Sequence, residues 1–292
     1  MAENPAPRIF GMVTTQHSSE YTHHALQTFF ASTELRAQDR FLLIDNDKSF
    51  QSNIWMTFSG IERIVNEHPL SFAENVNRVM RESSEYQGDL YFLNNDLIFT
   101  PNWITPLVNI TDAIVSPLGN QQVQHSSPNF TWRNALELKD YLQHQSEFEV
   151  MVSQLPKQNR YLPVIALGFF CVKIPYRVYS AVGPMVISYG KGGGEDTDYC
   201  LRSHLKGFPT MFATASYVLH FNQRSTGAIE APQVKTGREI QYRAEFLKRW
   251  GPHLTKIAID HNLGPISEFG LSEYAKEHNY REIILKLHSL LP

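Results

Sequence analysis

Apolar runs and apolar stripes alternate through the first part of the chain, and the alternation predicts a layered α/β fold. Arg8-Ile9-Phe10-Gly11-Met12-Val13-Thr14-Thr15 is a nearly continuous apolar run that ends in small polar residues, the pattern of a buried strand. Ser18 to Ser32 then carries Tyr21, Ala25, Leu26, Phe29 and Phe30 at helical spacing. Arg40 to Ile44 is a second apolar strand that runs into the polar turn Asp45-Asn46-Asp47, and Glu62 to Val65 is a shorter third. Ser71 to Ser84 reads as a helix with Phe72, Val76, Val79 and Met80 on one stripe, started by a capping box of Ser71 and Glu74. Leu90 to Leu93 returns as a strand and ends in Asn94-Asn95-Asp96. This rhythm predicts a doubly wound, mostly parallel sheet flanked by helices. In such sheets ligands bind beyond the carboxyl ends of the strands, where Thr14, Asp45 and Asp96 all fall.

The pattern loosens in the middle. Ile114 to Leu118 is one more strand, and Pro163 to Lys173 is apolar enough to return to the core. Between them, residues 120–160 are rich in Gln, Ser and Asn, with a helical patch over Ala135 to Leu142, and read as an insertion over the site. Thr210 to Phe221 is a late strand. From Lys235 onward the spacing is helical, with Tyr242, Phe246, Leu247 and Trp250 on one face, and again Tyr280, Ile283, Ile284 and Leu287. The expected division is a core domain over 1–232, with a first half near 8–118 and a second half over 119–232. A helical extension over 233–292 packs on that core.

Bulk properties narrow the function classes. A chain of 292 residues, 42% of them hydrophobic, can bury a sizeable core and is not disordered. A net charge of -3 gives no drive toward nucleic acid. Two cysteines, Cys171 and Cys200, are too few to staple it and read as small core residues. No apolar run approaches the ~18 residues of a spanning helix, and the first residues carry neither a basic region nor an apolar stretch. The expectation is a soluble, cytoplasmic protein with peripheral membrane association left open, in which the sequons at Asn109 and Asn129 carry no meaning.

The densest chemistry lies in Gly194-Glu195-Asp196-Thr197-Asp198-Tyr199-Cys200-Leu201-Arg202, three carboxylates in four positions directly after a glycine run. Carboxylates this close repel one another unless something cationic or protonic uses them. Glu195-Asp196 could supply a general base, its pKa raised by its neighbour; equally, acidic residues complement the positive end of a helix. Asp198 stands four residues before Arg202, an ion-pair spacing on a helix. The Asn94-Asn95-Asp96 turn offers oxygen ligands to magnesium or manganese, although Asn and Asp also favour plain turns. His220, at the end of an apolar strand, could complete a metal shell or be a satisfied core group. His17, His23, His24, His125 and His144 show no ligand spacing. Gly190 to Gly194 lacks the Lys-Ser/Thr of a P-loop and suits either a mobile lid or a close backbone approach.

Together these segments resemble the GT-A glycosyltransferases of family 2, inverting enzymes that use nucleotide-sugars, over most of residues 8–250. Arg8 to Thr15 and Leu42 to Asp47 look like the first two nucleotide-binding strands. Asn66 to Asn77 resembles the "N..N.GFA.A.N" segment of rhamnosyltransferase-like members, with Leu70 and Ser71 departing from it. Tyr91 to Trp103 resembles the DxD region, with Asn94 in place of its first Asp. Gly168 to Gly183 followed by Glu195 to Arg202 is similar to "G…RR…VG…F.EDVDLCLR", and Phe246 to Gly251 to "F..KWG". The resemblance implies a GT-A fold, with 1–232 as the catalytic domain, its nucleotide-sugar half near 8–118 and its acceptor half over 119–232, and transfer of a sugar from a nucleotide-diphosphate sugar, UDP- or dTDP-linked, to a glycan, lipid-linked or protein hydroxyl. Thr14, Thr15, Asp45 and Asn77, with Asn94, Asn95 and Asp96, would bind the nucleotide-sugar. Asp96 and His220 would hold a divalent cation, Mn2+ or Mg2+. Asp196 would be the base, with Glu195 beside it. The rivals are a retaining GT-A transferase, a non-catalytic nucleotide-sugar- or glycan-binding subunit, which Asn94 keeps open, and a nucleotidyltransferase, for which the segment Thr14 to Tyr21 lacks the Gly- and Arg-rich loop.

Overall fold

A computed structural model describes residues 5–15, 18–50, 54–120, 132, 137–222, 224 and 231–290. The first elements are β1 (Arg8–Thr14), α1 (Ser19–Ser32), β2 (Arg40–Asp45), β3 (Ile61–Val65), α2 (Phe72–Glu85) and β4 (Asp89–Leu93). They build the parallel part of one sheet, ordered β3-β2-β1-β4. Continuous apolar strands fit here because both faces are covered. The capping box is formed: the Glu74 amide donates to Ser71 Oγ at 3.3 Å, and the Ser71 amide donates to Glu74 Oε2 at 2.8 Å. From that start α2 buries Ala73, Val76, Val79 and Met80. Gly11 lets the helix come this close to β1, since a Cβ there would lie 2.5 Å from Val79 Cγ2.

Beyond β4 the sheet becomes mixed. The next elements are β5 (Leu97–Phe99), α3 (Thr105–Val108), β6 (Ile114–Gly119), α4 (Leu138–Gln143), α5 (Gln145–Ser153), β7 (Tyr161–Val164), β8 (Cys171–Ile174), α6 (Tyr176–Val182), α7 (Glu195–Leu205) and β9 (Thr210–His220). The order continues β4-β8-β6-β9-β5, with β7 also on β9. β8 runs antiparallel to β4 and β6, and β5 and β7 run antiparallel to β9, while β6 and β9 are parallel. The mostly parallel sheet expected is thus fully parallel in its first half and mixed beyond it. A parallel neighbour needs a crossover of a dozen or more residues, which the segments carrying α1 and α2 supply among the first four strands. The apolar stretch Pro163 to Lys173 returns to the core as two strands joined by a buried link, Ile165 to Phe170. Of the expected insertion, residues 121–131 and 133–136 lie outside the described residues, as do Asn129, His17 and His125. The described remainder, α4 and α5, packs inward: Tyr141 meets Phe221 edge-on and Phe148 lies tilted against Tyr217.

The last elements are α8 (Pro232–Ala258), α9 (Gly264–Glu268), α10 (Ser272–Lys276) and α11 (Tyr280–His288). Phe246, Trp250, Tyr280, Ile283, Ile284 and Leu287 share one apolar cluster with α2 and the sheet. Asp198 fastens this segment. Its carboxylate is fully buried. It accepts from Arg202 Nε at 2.8 Å, as the four-residue spacing predicts, and also from Arg249 Nε at 2.9 Å, Trp250 Nε1 at 2.8 Å and Tyr189 Oη at 3.2 Å. No described helix is long and apolar enough to cross a membrane. Removing one partner of a buried ionic cluster leaves the others uncompensated, typically at a cost of about 3–5 kcal/mol. Asp198→Ala should therefore destabilise the fold by that order in urea unfolding, and a change within experimental scatter would show that α8 is held by its apolar contacts alone.

Candidate functional site

The site begins where β4 stops. The register of β5 on β9 places Leu97 opposite His220, which brings the His220 ring to the preceding residue, Asp96. His220 Nε2 lies 3.2 Å from Asp96 Oδ1 and 3.3 Å from Asn94 Nδ2. Asp96 is almost fully buried, and its second oxygen accepts from the Arg224 amide at 3.4 Å. Burial opposes its charge, but the imidazole and the N–H donors outweigh that, so its carboxyl sits below the usual carboxylate value. The register of β4 on β8, with Leu93 opposite Cys171, sets the other side. The Asn94 amide donates to the Phe170 carbonyl at 2.7 Å. The Phe170 ring stacks on His220, 5.1 Å between centroids and 12° between planes.

A cavity of about 960 Å³ opens beside this turn, and Thr15, Asn94 and Asn95 line it. Other expected nucleotide-sugar residues stand behind its wall. Thr14 is buried, its hydroxyl 2.7 Å from that of Thr22. Asp45 is fully buried and does not line the cavity: Arg63 donates to Oδ2 at 2.6 Å and the Ser49 amide to Oδ1 at 3.2 Å. The lining residues are its neighbours Asn46 and Asp47. Asn77 stands away from the cavity lining. Its amide exchanges two hydrogen bonds with the Met185 backbone, at 2.9 and 2.7 Å, and does not face the cavity. Asn95 donates from Nδ2 to Ser18 Oγ at 2.6 Å and Thr22 Oγ1 at 2.8 Å, so its side chain ties the turn to α1.

The sequence reading missed an asparagine cluster beneath the cavity. Asn46 Oδ1 accepts from Asn66 Nδ2 at 2.7 Å, the Leu70 amide at 2.9 Å and Asn75 Nδ2 at 3.2 Å. Asn66 Nδ2 also donates to Asn75 Oδ1 at 3.0 Å. These bonds join the ends of β2 and β3 to the start of α2. Asn66 and Asn75 belong to the recognised segment, but only the fold shows that Asn46 is their common partner.

The candidate base lies at the first turn of α7. Asp196 Oδ2 accepts from the Phe169 amide at 3.4 Å and Oδ1 from the Thr197 amide at 2.7 Å. Phe169 therefore touches Asp196 while Phe170 holds Asn94 and His220, and the two carboxylate centres are joined by one dipeptide. Asp196 opens on a second, smaller cavity of about 310 Å³ between the glycine run and α8. Glu195 is buried and lines neither cavity; it accepts from the Gly193 amide. Burial, and then the charge of Asp196, push the Glu195 pKa up to about 7. Burial raises that of Asp196 as well. The glycine run itself is docked on α8, with Arg238 donating to the Gly192 carbonyl at 3.0 Å and Ser188 to Glu245 at 2.6 Å.

Among the described residues no group of three or more His, Cys, Asp or Glu side chains could hold a metal. Asp96 and His220 are a pair, with the Asn94 amide as their third neighbour. Adjacent ligands of an octahedral ion bound at about 2.1 Å stand about 3 Å apart, close to the 3.2 Å between His220 Nε2 and Asp96 Oδ1, while Asn94 would ligate through its amide oxygen. The donor set of one carboxylate, one imidazole and one amide fits a divalent cation that takes oxygen and nitrogen ligands.

No family model and no curated protein matches the chain. Solved structures do. GalNAc-T7 with UDP, GalNAc and Mn2+ is similar with a TM-score of 0.63 at 14% identity, over 95% of this chain and 56% of that one. The mannosyltransferase PcManGT from Pyrobaculum calidifontis, in complex with GDP-Man and Mn2+, gives 0.53 at 10% identity, over 85% of this chain and 65% of that one. S. aureus TarS 1-349 gives 0.51 at 9% identity, over 82% and 65%. The chain thus spans between half and two thirds of the length of these proteins. The likeness bears out the expected GT-A type of α/β fold.

Glu195 makes stability depend on pH with a defined sign. Its folded pKa lies above its ordinary value of 4.5, so between these values the folded state holds a proton that the unfolded state has lost. The contribution is complete below about pH 4.5 and disappears as pH rises to about 7. Glu195→Gln should flatten the fall in unfolding free energy between pH 5 and 8 and make the protein more stable than the parent at pH 8. Equal pH slopes for the two would contradict the raised pKa.

Proposed function

We propose that the chain is a glycosyltransferase that moves a sugar from a nucleotide-diphosphate sugar to an acceptor hydroxyl, with inversion at the anomeric carbon. The observation that carries the reading is the single dipeptide, Phe169-Phe170, that ties Asp196 to the Asn94–Asp96 turn and His220 beside a cavity large enough for a nucleotide-sugar. The similar structures support it, since two of them hold UDP or GDP-mannose with Mn2+. The donor is a UDP- or dTDP-sugar, lying over Thr15, Asn46 and Asn94; the acceptor is a glycan or other hydroxyl compound. The C-terminal segment 233–292 acts as an extension of the 1–232 core, which it meets through the Asp198 cluster.

Chemically, the acceptor hydroxyl attacks the anomeric carbon while the diphosphate departs. Asp196 takes the hydroxyl proton, and its raised pKa makes it a stronger base than an exposed carboxylate. Asp96 and His220, with Asn94, would hold a divalent cation, which when bound offsets the charge of the departing diphosphate. Asp96 is suited to this because it stays ionised in spite of burial. Thr14, Asn95 and the asparagine cluster keep the cavity wall in place.

One observation favours a second reading. Asp196 opens on a different cavity from the Asn94–Asp96 turn, and a retaining transferase of the same fold needs no base on the acceptor side. Asp196→Asn decides between them. It keeps the shape but removes the proton acceptor, so turnover should fall by about 10²–10⁴-fold with diphosphate binding retained. Undiminished transfer, with retention of anomeric configuration in the product, would establish the retaining alternative.

A further inference from the structure

The two cavities share one helix and are kept apart by one piece of backbone. The larger is lined by Gly190 and Lys191 of the glycine run and by Val234 and Gln241 of α8. The smaller is lined by Gly193 and Gly194 of the same run and by Arg238 and Tyr242 of the same helix. The run therefore crosses α8 between them. Three contacts hold it there. Arg238 donates to the Gly192 carbonyl at 3.0 Å. The Tyr242 ring lies flush on Gly193, where a Cβ would come within 2.4 Å of it. Glu195 turns back from the first turn of α7 and accepts from the Gly193 amide. Gly190, Gly192, Gly193 and Gly194 all have positive φ, between +79° and +146°, so the run follows a path that side-chain-bearing residues rarely take.

Resting on the glycosyltransferase reading, we infer that the glycine run is a movable partition between the donor cavity and the Asp196 cavity, and that Glu195 is the positioning residue that latches it shut. Asp196 touches the smaller cavity only, yet the reaction needs its carboxylate, the acceptor hydroxyl and the anomeric carbon in one space. Withdrawal of the run from α8 joins the two spaces; return of the run separates them and keeps water on the Asp196 side from the bound donor. The latch is a side-chain carboxyl oxygen accepting from a backbone amide. This gives the two adjacent acids separate tasks, with Glu195 holding the backbone and Asp196 handling the proton.

Backbone amide exchange on the full-length protein tests the latch without any substrate. Peptides covering 189–195 are compared with those covering 199–205 in the parent and in Glu195→Ala, Glu195→Gln and Arg238→Ala. Glu195→Ala and Arg238→Ala should speed exchange in 189–195 by about tenfold or more, the signature of a local opening equilibrium. The 199–205 peptides should not change. Glu195→Gln keeps an oxygen to accept from Gly193 and should stay near the parent rate. Parent-like exchange in Glu195→Ala overturns the latch. So does acceleration that spreads into 199–205, because Glu195 would then be serving the stability of α7. A chain that turned over no nucleotide-sugar would refute the glycosyltransferase reading while leaving this exchange result intact.

Discussion

The candidate site depends on one antiparallel register, Leu93 opposite Cys171 between β4 and β8. It delivers the Phe169-Phe170 dipeptide to the gap between the sheet and α7. The Phe170 carbonyl fixes the amide of Asn94, its ring stacks on His220, and the Phe169 amide reaches Asp196. A slip of one residue would turn every β8 side chain to the opposite face of the sheet and part these groups. The packing beside the dipeptide is close: a Cβ on Gly119 would stand 3.2 Å from the Phe170 ring. The second register, Leu97 opposite His220, then only has to close the turn.

The acidic groups of the site are separated by environment more than by position. Asp96 is kept ionised by an imidazole and backbone donors despite its burial. Asp198, two residues from the candidate base, is paired with two arginines, Arg202 on its own helix and Arg249 on α8, and so fastens α8. Among the described residues Glu195 and Asp196 show no such ion pair; the Arg238 charge favours ionised Glu195, but burial outweighs it and raises both. On the proposed reading, one short acidic string supplies a latch, a base and an anchor. A residue that must hold a cation wants a low pKa and one that must accept a proton wants a raised one, and Asp96 and Asp196 differ in that direction.

Much of this was legible in sequence where the determinant is local. The first strands, α1, α2 with its capping box, and the Asp198–Arg202 pair follow from spacing and side-chain chemistry within a few residues. Tertiary facts were not accessible. Asp45 and Asn77 sit at the right places along the chain, but Arg63 and the Met185 backbone claim their polar groups. β5 escaped notice because three residues, Leu97 to Phe99, are too few to show a period, and only β9 makes them a strand. The glycine run fitted either a mobile lid or a close approach; its partners Arg238 and Tyr242 are more than forty residues away. The asparagine cluster needed three separate segments to meet.

The central claim is that the Asn94–Asp96 turn and His220 form the diphosphate end of a nucleotide-sugar site. The most direct test is a thermal shift of the full-length protein with UDP, dTDP and GDP, each with and without manganese, run beside Asp96→Ala. A ligand that binds only the folded state raises stability by mass action, by about 2.7 kcal/mol at a hundredfold excess over its dissociation constant. The account predicts that at least one diphosphate raises the melting temperature of the parent with manganese, by more than without it, and that Asp96→Ala loses the manganese-dependent part. An equal shift in Asp96→Ala, or no shift of the parent with any diphosphate, would contradict it.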